Sequence, residues 1–248
     1  MNEQFTRTEL LYGENAMKKL ACSRVAVFGV GGVGGYVVEA LARSGVGAID
    51  IIDNDTVCLS NLNRQIIATH STLGRYKVDA AEERILDINP NAVVRKHKTF
   101  FTPATAESFD FSQYDYVVDA IDTVTGKIEL VMRATQSGTP IICSMGAGNK
   151  TQPSMFGVSD IYKTSVCPLA RVMRNELKKR GIKKLKVVYS KEQPITPKSI
   201  PDTDSTDGNE QAKSGFRKAT PGSNAFVPSV AGLIIAGEVI NELTAELR

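Results

Sequence analysis

The 248-residue chain has no tryptophan, only 6% aromatic residues, and four widely separated cysteines that form no C-x-x-C pair. This cysteine spacing excludes a zinc ribbon and a disulfide-stapled scaffold, so we expect free thiols. The sequence contains no apolar run long enough to span a bilayer, and its first residues lack the pattern of a secretory signal. We therefore expect a cytoplasmic protein with no membrane span.

The chain also has little net charge. Its 30 basic side chains exceed its 27 acidic ones by 30 − 27 = 3, which is too little to require a nucleic-acid partner. Hydrophobic residues make up 42% of the sequence, as in globular proteins, and the length fits one large α/β domain. Composition alone therefore leaves the function open.

Apolar, β-branched segments alternate with helical patterns between residues 24 and 148. Strands are predicted at RVAVFG, AIDIID, AVVRKH, YDYVVDAID and TPIICSMGAG. The alternation predicts an α/β fold with a Rossmann-like, doubly wound, mainly parallel sheet and helices on both of its faces.

A glycine-rich turn follows the first predicted strand and opens a helix. Its sequence GVGGVG, with Gly29, Gly31, Gly32 and Gly34, fits G-x-G-x-x-G, whose backbone N–H groups can approach phosphate oxygens. Asp53 ends the second strand, where a carboxylate accepts ribose hydroxyls. The pattern predicts a bound nucleotide without a 2′-phosphate, and the alternative is a glycine-rich turn with no ligand.

Three residues beyond Asp53 add hydrogen-bond donors and positive charge: Asn61, Arg64 and Lys77. An NAD-dependent dehydrogenase has no need of them, whereas the triphosphate of ATP brings negative charges that must be neutralised. We expect a forked contact from Arg64 and a point charge from Lys77. The alternative for Lys77 is an ordinary exposed helix lysine.

Two aspartates, Asp119 and Asp122, stand at the carboxyl end of a predicted central strand, where open α/β sheets bind ligands. Carboxylates there can hold Mg²⁺ that bridges phosphates. We favour Asp122 over Asp119 as the metal-binding or catalytic residue. Alternatively, Asp122 or Thr123 caps the helix that follows.

The segments RVAVFGVGGVGGYVVEALARSGVG, DNDTVCLSNLNRQ, GRYKVDAAEERILDINP and DAIDT together resemble the ubiquitin-activating-enzyme-like (ThiF/MoeB/HesA) adenylating superfamily. The resemblance implies binding of ATP with Mg²⁺ and transfer of AMP to a substrate carboxylate with release of pyrophosphate. It implies that Asp53 holds the ribose, that Asn61, Arg64 and Lys77 bind the triphosphate, and that Asp122 organises Mg²⁺.

The same resemblance implies a role for Arg7, in the segment FTRTELLYG. In the superfamily an N-terminal arginine reaches the nucleotide of the partner subunit, so this role requires a homodimer.

The later segments SMGAGNK, DIYKTSVCPLARVMRNELKKRGI, VVYSKE and GSNAFVPSVAG resemble the tRNA threonylcarbamoyladenosine dehydratases. This implies adenylation of the threonine carboxylate of threonylcarbamoyladenosine in tRNA, followed by ring closure within the same modified side chain. The alternatives are adenylation of the C-terminus of a ubiquitin-like or sulfur-carrier protein, and a non-catalytic module that binds nucleotide and tRNA. Sulfur-carrier activators usually carry two C-x-x-C pairs, which this chain lacks.

Basic residues recur on one helical face and just beyond it, and we name these residues the basic stripe: Arg171, Arg174, Lys178, Lys179, Arg180, Lys183 and Lys184. The stripe predicts contact with tRNA phosphates, and the alternative is a solvated basic face. Cys143 is expected to be a core thiol. Cys167 is a candidate nucleophile or persulfide carrier that would imply a sulfur-transfer protein partner, although ring closure within the substrate needs no enzyme thiol.

We expect one domain over residues 1–248. It would comprise an N-terminal helical arm (1–23), a nucleotide-binding core (24–148) and a substrate-side extension (149–248) with antiparallel strands and a C-terminal helix. Prolines and polar residues predict a long mobile loop over residues 191–224.

Overall fold

The computed structural model describes residues 3–198 and 221–247. Within them seven strands form one sheet in the order β3-β2-β1-β4-β5-β7-β6. The strands are β1 (Arg24–Phe28), β2 (Ala48–Ile52), β3 (Val93–His97), β4 (Tyr116–Asp119), β5 (Ile141–Ser144), β6 (Phe156–Asp160) and β7 (Lys186–Ser190). Neighbouring strands are parallel from β3 to β7, and β6 pairs antiparallel with β7.

Seven α-helices connect and cover the strands of the described chain. They are α1 (Thr6–Tyr12), α2 (Glu14–Cys22), α3 (Gly34–Arg43), α4 (Lys77–Ile88), α5 (Val124–Ser137), α6 (Pro168–Lys179) and α7 (Val227–Leu243). The apolar sides of α3, α4 and α7 pack on one face of the sheet, and α5 and α6 pack on the other. The predicted doubly wound α/β fold is therefore confirmed.

The antiparallel strands predicted for the extension are β6 and β7, which pair with one another. In addition, β7 runs parallel to β5 and lies between β5 and β6. The reason is that α6 carries the chain back to the edge of the sheet at which the parallel strands begin. Both β6 and β7 extend the same sheet as the core, and the division into arm, core and extension stays a prediction.

The sheet has two edges with different roles. The strands β1, β2, β4 and β5 all end at one edge of the sheet, which we name the carboxyl edge. They begin at the opposite edge, which we name the amino edge. The N-terminal arm lies at the amino edge, because the N–H groups of Gly47 and Ala48 donate to the carbonyls of Leu20 and Ser23, both at 3.0 Å.

The predicted mobile loop lies largely outside the described residues, which include only its two ends, 191–198 and 221–224. Neither end forms a helix or strand. In the part of the chain that the structure describes, no helix combines the length and apolarity needed to cross a membrane.

Candidate nucleotide site

The loop between β1 and α3 passes so close to the loop after β4 that it requires glycine. Gly29 has φ 89°, and a Cβ there would lie 2.7 Å from the carbonyl oxygen of Ala120. A Cβ on Gly34 would lie 1.7 Å from the carbonyl oxygen of Gly29. Among the described residues no side chain caps the N-terminus of α3. The helix therefore begins at the carboxyl edge with N–H groups that can donate to an anion.

Asp53, at the end of β2, holds the glycine loop in place through hydrogen bonds. Its two carboxylate oxygens accept hydrogen bonds from the N–H groups of Val30 at 2.8 Å and Asp55 at 2.9 Å. Burial raises the pKa of Asp53, and the positive charge of Lys77 only partly offsets this effect. Each oxygen retains a lone pair, so the carboxylate can hold the glycine loop and accept ribose hydroxyls at the same time.

Lys77 is buried at the start of α4, with its side chain only 7% exposed. Its Nζ lies 2.7 Å from Oδ2 of Asp55, and its backbone N–H donates to the carbonyl of Asp55 at 2.9 Å. The reading of Lys77 as an exposed helix lysine is therefore wrong. Asp55 is the counter-ion of Lys77.

Arg64 and Asn61 lie in the loop that follows β2. A Cβ on Gly32 would lie 3.6 Å from Cγ of Arg64, which brings this loop against the glycine loop. The Arg64 guanidinium donates to the Ser60 carbonyl at 2.8 Å and to Asn63 Oδ1 at 2.9 Å. Asn61 is buried, and its Oδ1 accepts from the N–H of Cys58 at 3.3 Å. The loop that carries both predicted phosphate-binding residues thus lies against the glycine loop at the carboxyl edge.

Sequence reasoning missed Gln65. This side chain is 6% exposed, and a Cβ on Gly31 would lie 3.8 Å from its Nε2. Its Oε1 is buried without a hydrogen-bond partner in the described residues. Buried polar atoms are normally hydrogen-bonded, so this oxygen requires a partner. The position of Gln65 directly after Arg64, in the segment NLNRQ, was the sequence signal that could have identified it. Gln65 therefore belongs to the lining of the crevice.

The two aspartates after β4 have different environments. Asp119 is fully buried, and both of its oxygens lie 2.9 Å from Nζ of the equally buried Lys127. It also accepts from the N–H of Ile121 at 3.3 Å. Asp119 is therefore an ion-pair partner of Lys127, which the sequence analysis missed, and is not a free metal ligand.

Asp122 is exposed at the carboxyl edge and forms no hydrogen bond or ion pair with any described residue. The residue before α5 is Thr123, and in the described chain no side chain makes the capping bond there, so the alternative capping role is not realised. No group of three or more metal-ligating side chains occurs among the described residues. Mg²⁺ is usually held by one or two carboxylates together with substrate phosphates, and Asp122 fits such a site.

The two thiols near the sheet are both buried. Burial raises the pKa of Cys143 well above its usual value, and the negative charge of Asp119 raises it further. Cys143 is thus the core thiol that was expected. Cys167 is 2% exposed just before α6, where a substrate could not reach it without movement of the surrounding residues.

The basic stripe divides into two groups. Arg174 donates to the Thr164 carbonyl at 3.0 Å, and Lys179 and Arg180 each form a 2.7 Å ion pair with Glu176. The other members of the stripe are exposed and form no ion pair with described residues: Arg171, Lys178, Lys183 and Lys184. Glu176 therefore neutralises part of the predicted positive surface.

Arg7 is exposed on α1, far from the crevice of its own chain, because the arm lies at the amino edge. Leu10 and Leu11, three and four residues further along α1, are 82% and 81% exposed. At this spacing the three side chains lie on one side of the helix. The structure thus brings Asp53, Asn61, Arg64, Lys77 and Asp122 to the carboxyl edge and leaves Arg7 outside.

The chain is similar to proteins of one family over almost its whole length. The family model described as ThiF family matches residues 4–246. The chain is 47% identical to the tRNA threonylcarbamoyladenosine dehydratase of Bacillus subtilis, covering 100% of this chain and 97% of the relative. It is 40% identical to the Escherichia coli protein of the same name, covering 71% of this chain and 66% of that one.

Solved structures of the E. coli dehydratase share the whole fold. Its crystal structure in complex with ATP superposes with a TM-score of 0.85 at 32% identity, covering 98% of this chain and 95% of that one. The complex with AMP gives a TM-score of 0.86 at 33% identity with the same coverage. The family match and the full-length similarity agree, and the chain belongs to the ThiF family.

Proposed function

We propose that this chain uses ATP to convert threonylcarbamoyladenosine in tRNA to its cyclic, dehydrated form, releasing AMP and pyrophosphate. The observation that carries the substrate is the 47% identity over the full chain to the B. subtilis dehydratase. The geometry supports the adenylation step, because phosphate-binding donors and a free carboxylate meet at the carboxyl edge.

The reaction has two steps. An oxygen of the threonine carboxylate attacks the α-phosphorus of ATP, and the bond to the leaving pyrophosphate breaks. An atom of the same modified side chain then attacks the activated carbonyl carbon, loses a proton and expels AMP, which carries away the carboxylate oxygen. The product has therefore lost one water, and no enzyme thiol takes part. The burial of Cys167 is consistent with this route.

The residues predicted from the sequence have distinct roles in the first step. The uncapped N-terminus of α3 and the side chains of Arg64 and Lys77 stabilise negative charge on the phosphates, and this charge increases as pyrophosphate leaves. Asn61 adds an amide donor, and Asp53 fixes the ribose so that the α-phosphate faces the substrate. Mg²⁺ bound by Asp122 would neutralise the phosphate oxygens.

We further propose that the active unit is a homodimer and that Arg7 acts in its partner. The arm lies at the edge opposite its own crevice, so Arg7 can reach a nucleotide only in another copy. Leu10 and Leu11 are the apolar side chains that association would bury. Arg7 would then add a cation beside the partner's phosphates.

The unpaired members of the basic stripe would contact tRNA, since they form a positive surface beginning near the crevice. Because both substrates occur in the cytoplasm, we place the protein there. The sulfur-transfer protein partner stays a prediction.

The test is mass spectrometry of nucleosides after incubation of the protein with ATP and threonylcarbamoyladenosine-containing tRNA. We expect loss of one water from the modified nucleoside and release of one pyrophosphate per product. Arg64→Ala and Asp122→Asn should abolish both, and Val93→Ala, on the remote strand β3, is the matched control. Pyrophosphate release with a protein ending in Gly-Gly, and none with tRNA, would favour the sulfur-carrier alternative. ATP binding without turnover of either substrate would favour a non-catalytic module.

A further inference from the structure

A cavity of about 780 Å³ opens at the amino edge of the sheet, opposite the nucleotide crevice. The starts of β4, β5 and β7 and the end of β6 form its walls. Strands of four or five residues separate the two edges, and at about 3.3 Å per residue the cavity lies roughly 15 Å or more from the crevice. The cavity is therefore distinct from the nucleotide site, and its volume is within the range of ligand sites.

Most of the cavity lining is apolar. Pro140, Ile141, Val158, Ile182 and Leu185 contribute to it, and Val158 on the edge strand β6 is 39% exposed. An apolar surface that solvent can enter is suited to the flat face of a planar ring.

The ionisable groups inside the cavity all have hydrogen-bond partners. Tyr116 donates to Glu242, and Lys186 is paired with Glu242 and, at 3.1 Å, with Glu238. Asp160 accepts from the N–H of Tyr162 at 2.8 Å and from that of Leu185 at 3.1 Å, and it forms no ion pair within the described residues. The cavity interior therefore offers a ligand no free cation and one carboxylate that backbone N–H groups hold in place.

Positive charge remains at the rim. Lys183 and Lys184 line the cavity, are exposed, and form no ion pair within the described residues. They continue from α6, whose start is at the carboxyl edge, since Sγ of Cys167 would lie 3.8 Å from a Cβ on Gly146. The 12 residues of α6 span about 18 Å. Exposed cations therefore extend from the carboxyl edge to the cavity.

We propose that the cavity binds an unpaired nucleotide of the tRNA substrate that lies outside the anticodon loop. The base packs on the apolar lining, and its flanking phosphates pair with Lys183 and Lys184. Proteins usually bind single-stranded RNA through phosphate contacts together with contacts to the faces of unstacked bases, and in this cavity aliphatic side chains would contact the base. A ligand of this kind matches both the apolar interior and the positive rim, and the distance along α6 separates it from the reacting nucleotide. This inference rests on the proposed function and names a second contact for the same substrate.

The test compares two RNAs that both carry threonylcarbamoyladenosine: full-length tRNA and the isolated anticodon stem-loop, which lacks all unpaired nucleotides outside that loop. Val158→Glu places a negative charge in the cavity, and Lys183→Ala/Lys184→Ala removes the positive rim. We expect each variant to raise the KM for full-length tRNA on the order of ten-fold, and to raise the KM for the stem-loop much less. The double variant should also reduce the slope of log K for tRNA binding against log salt concentration by about 1.4, or about 0.7 for each lost contact to a single-strand phosphate.

Val93→Glu is the matched control, because Val93 is also an exposed valine, at 56%, on an outermost strand. Its strand β3 and the strand β6 of Val158 stand at opposite ends of the strand order. It should leave both KM values unchanged, and thermal unfolding of all variants would detect misfolding. If the variants change KM equally for both RNAs, or change it for neither, the inference is wrong. Turnover of both RNAs by the wild-type protein would still support the proposed function. A change of oligomeric state in Val158→Glu with unchanged tRNA binding would make the cavity an interface between copies. If wild-type protein turns over neither RNA, the proposed function fails and the inference fails with it.

Discussion

Replacing Lys127 by methionine should destabilise the protein strongly, because it leaves the Asp119 carboxylate without its counter-ion. Both side chains are fully buried, and the ammonium lies 2.9 Å from each carboxylate oxygen. Removing one partner of a buried ion pair costs about 3–5 kcal/mol. In a domain of this size each kcal/mol lowers Tm by about 2–4 °C, so Tm should fall by about 6–20 °C.

Urea unfolding followed by circular dichroism measures this loss directly. Lys19→Met is the control, since Lys19 forms a 2.9 Å ion pair with Asp115 in which both side chains are about one-third exposed. Such a pair contributes at most about 1 kcal/mol. The double variant Asp119→Leu/Lys127→Met should recover much of the lost stability, because an apolar pair removes the buried charge. A loss below about 1 kcal/mol in Lys127→Met would refute the reasoning.

Three further predictions concern separate sites. Burial raises the pKa of Asp53. Affinity for ATP should therefore fall as pH drops towards the ordinary aspartate pKa of about 3.9. Calorimetry should show that the ATP affinity of Asp53→Asn depends less on pH. For Asp50 burial raises the pKa, but hydrogen bonds from its histidine and arginine neighbours outweigh this and leave it lowered. The contribution of Asp50 to stability is therefore present above its pKa in the unfolded state and is lost as pH falls through its pKa in the folded state. Urea unfolding should show that Asp50→Asn is more destabilising at pH 7 than in acid. If Arg7 acts in the partner, mixing inactive Arg7→Ala and Asp122→Asn proteins should restore about a quarter of wild-type activity, because half of randomly mixed dimers contain one intact site; no recovery in a mixture shown to exchange subunits would contradict this role.

The order of elements could be predicted from the sequence because each has a local signal. The glycine loop follows β1 as expected, and α7 matches its apolar segment from Val227 to Leu243. The direction of β7 could not be predicted in this way. Four of its five residues are buried, and burial on both faces has the same sequence pattern in parallel and antiparallel strands. The direction of β7 depends on the edge of the sheet at which α6 ends, and this is a property of the tertiary fold.

The positions of the site residues could be predicted better than their partners. A residue just beyond the end of a parallel strand lies at the carboxyl edge wherever the strand stands in the sheet, so the placement of Asp53 and Asp122 at that edge could be predicted from position alone. The pairing of Asp119 with Lys127 depends on the rotation of α5 about its axis after a loop. A shift of one residue in the start of that helix would turn Lys127 by about 100°, and the sequence does not determine that start so closely.

Lys77 explains why the crevice needs Asp55 as well as Asp53. A buried ammonium without a partner costs several kcal/mol, and the side chain of Lys77 is only 7% exposed. Both oxygens of Asp53 already accept from backbone N–H groups, which leaves Asp55 as the carboxylate that balances the charge. The side chain of Asp55 is 59% exposed, so in the proposed ATP complex it would turn into water at little cost as phosphate oxygens approach. The nucleotide would then replace one anionic partner of Lys77 by another, without a separate desolvation step.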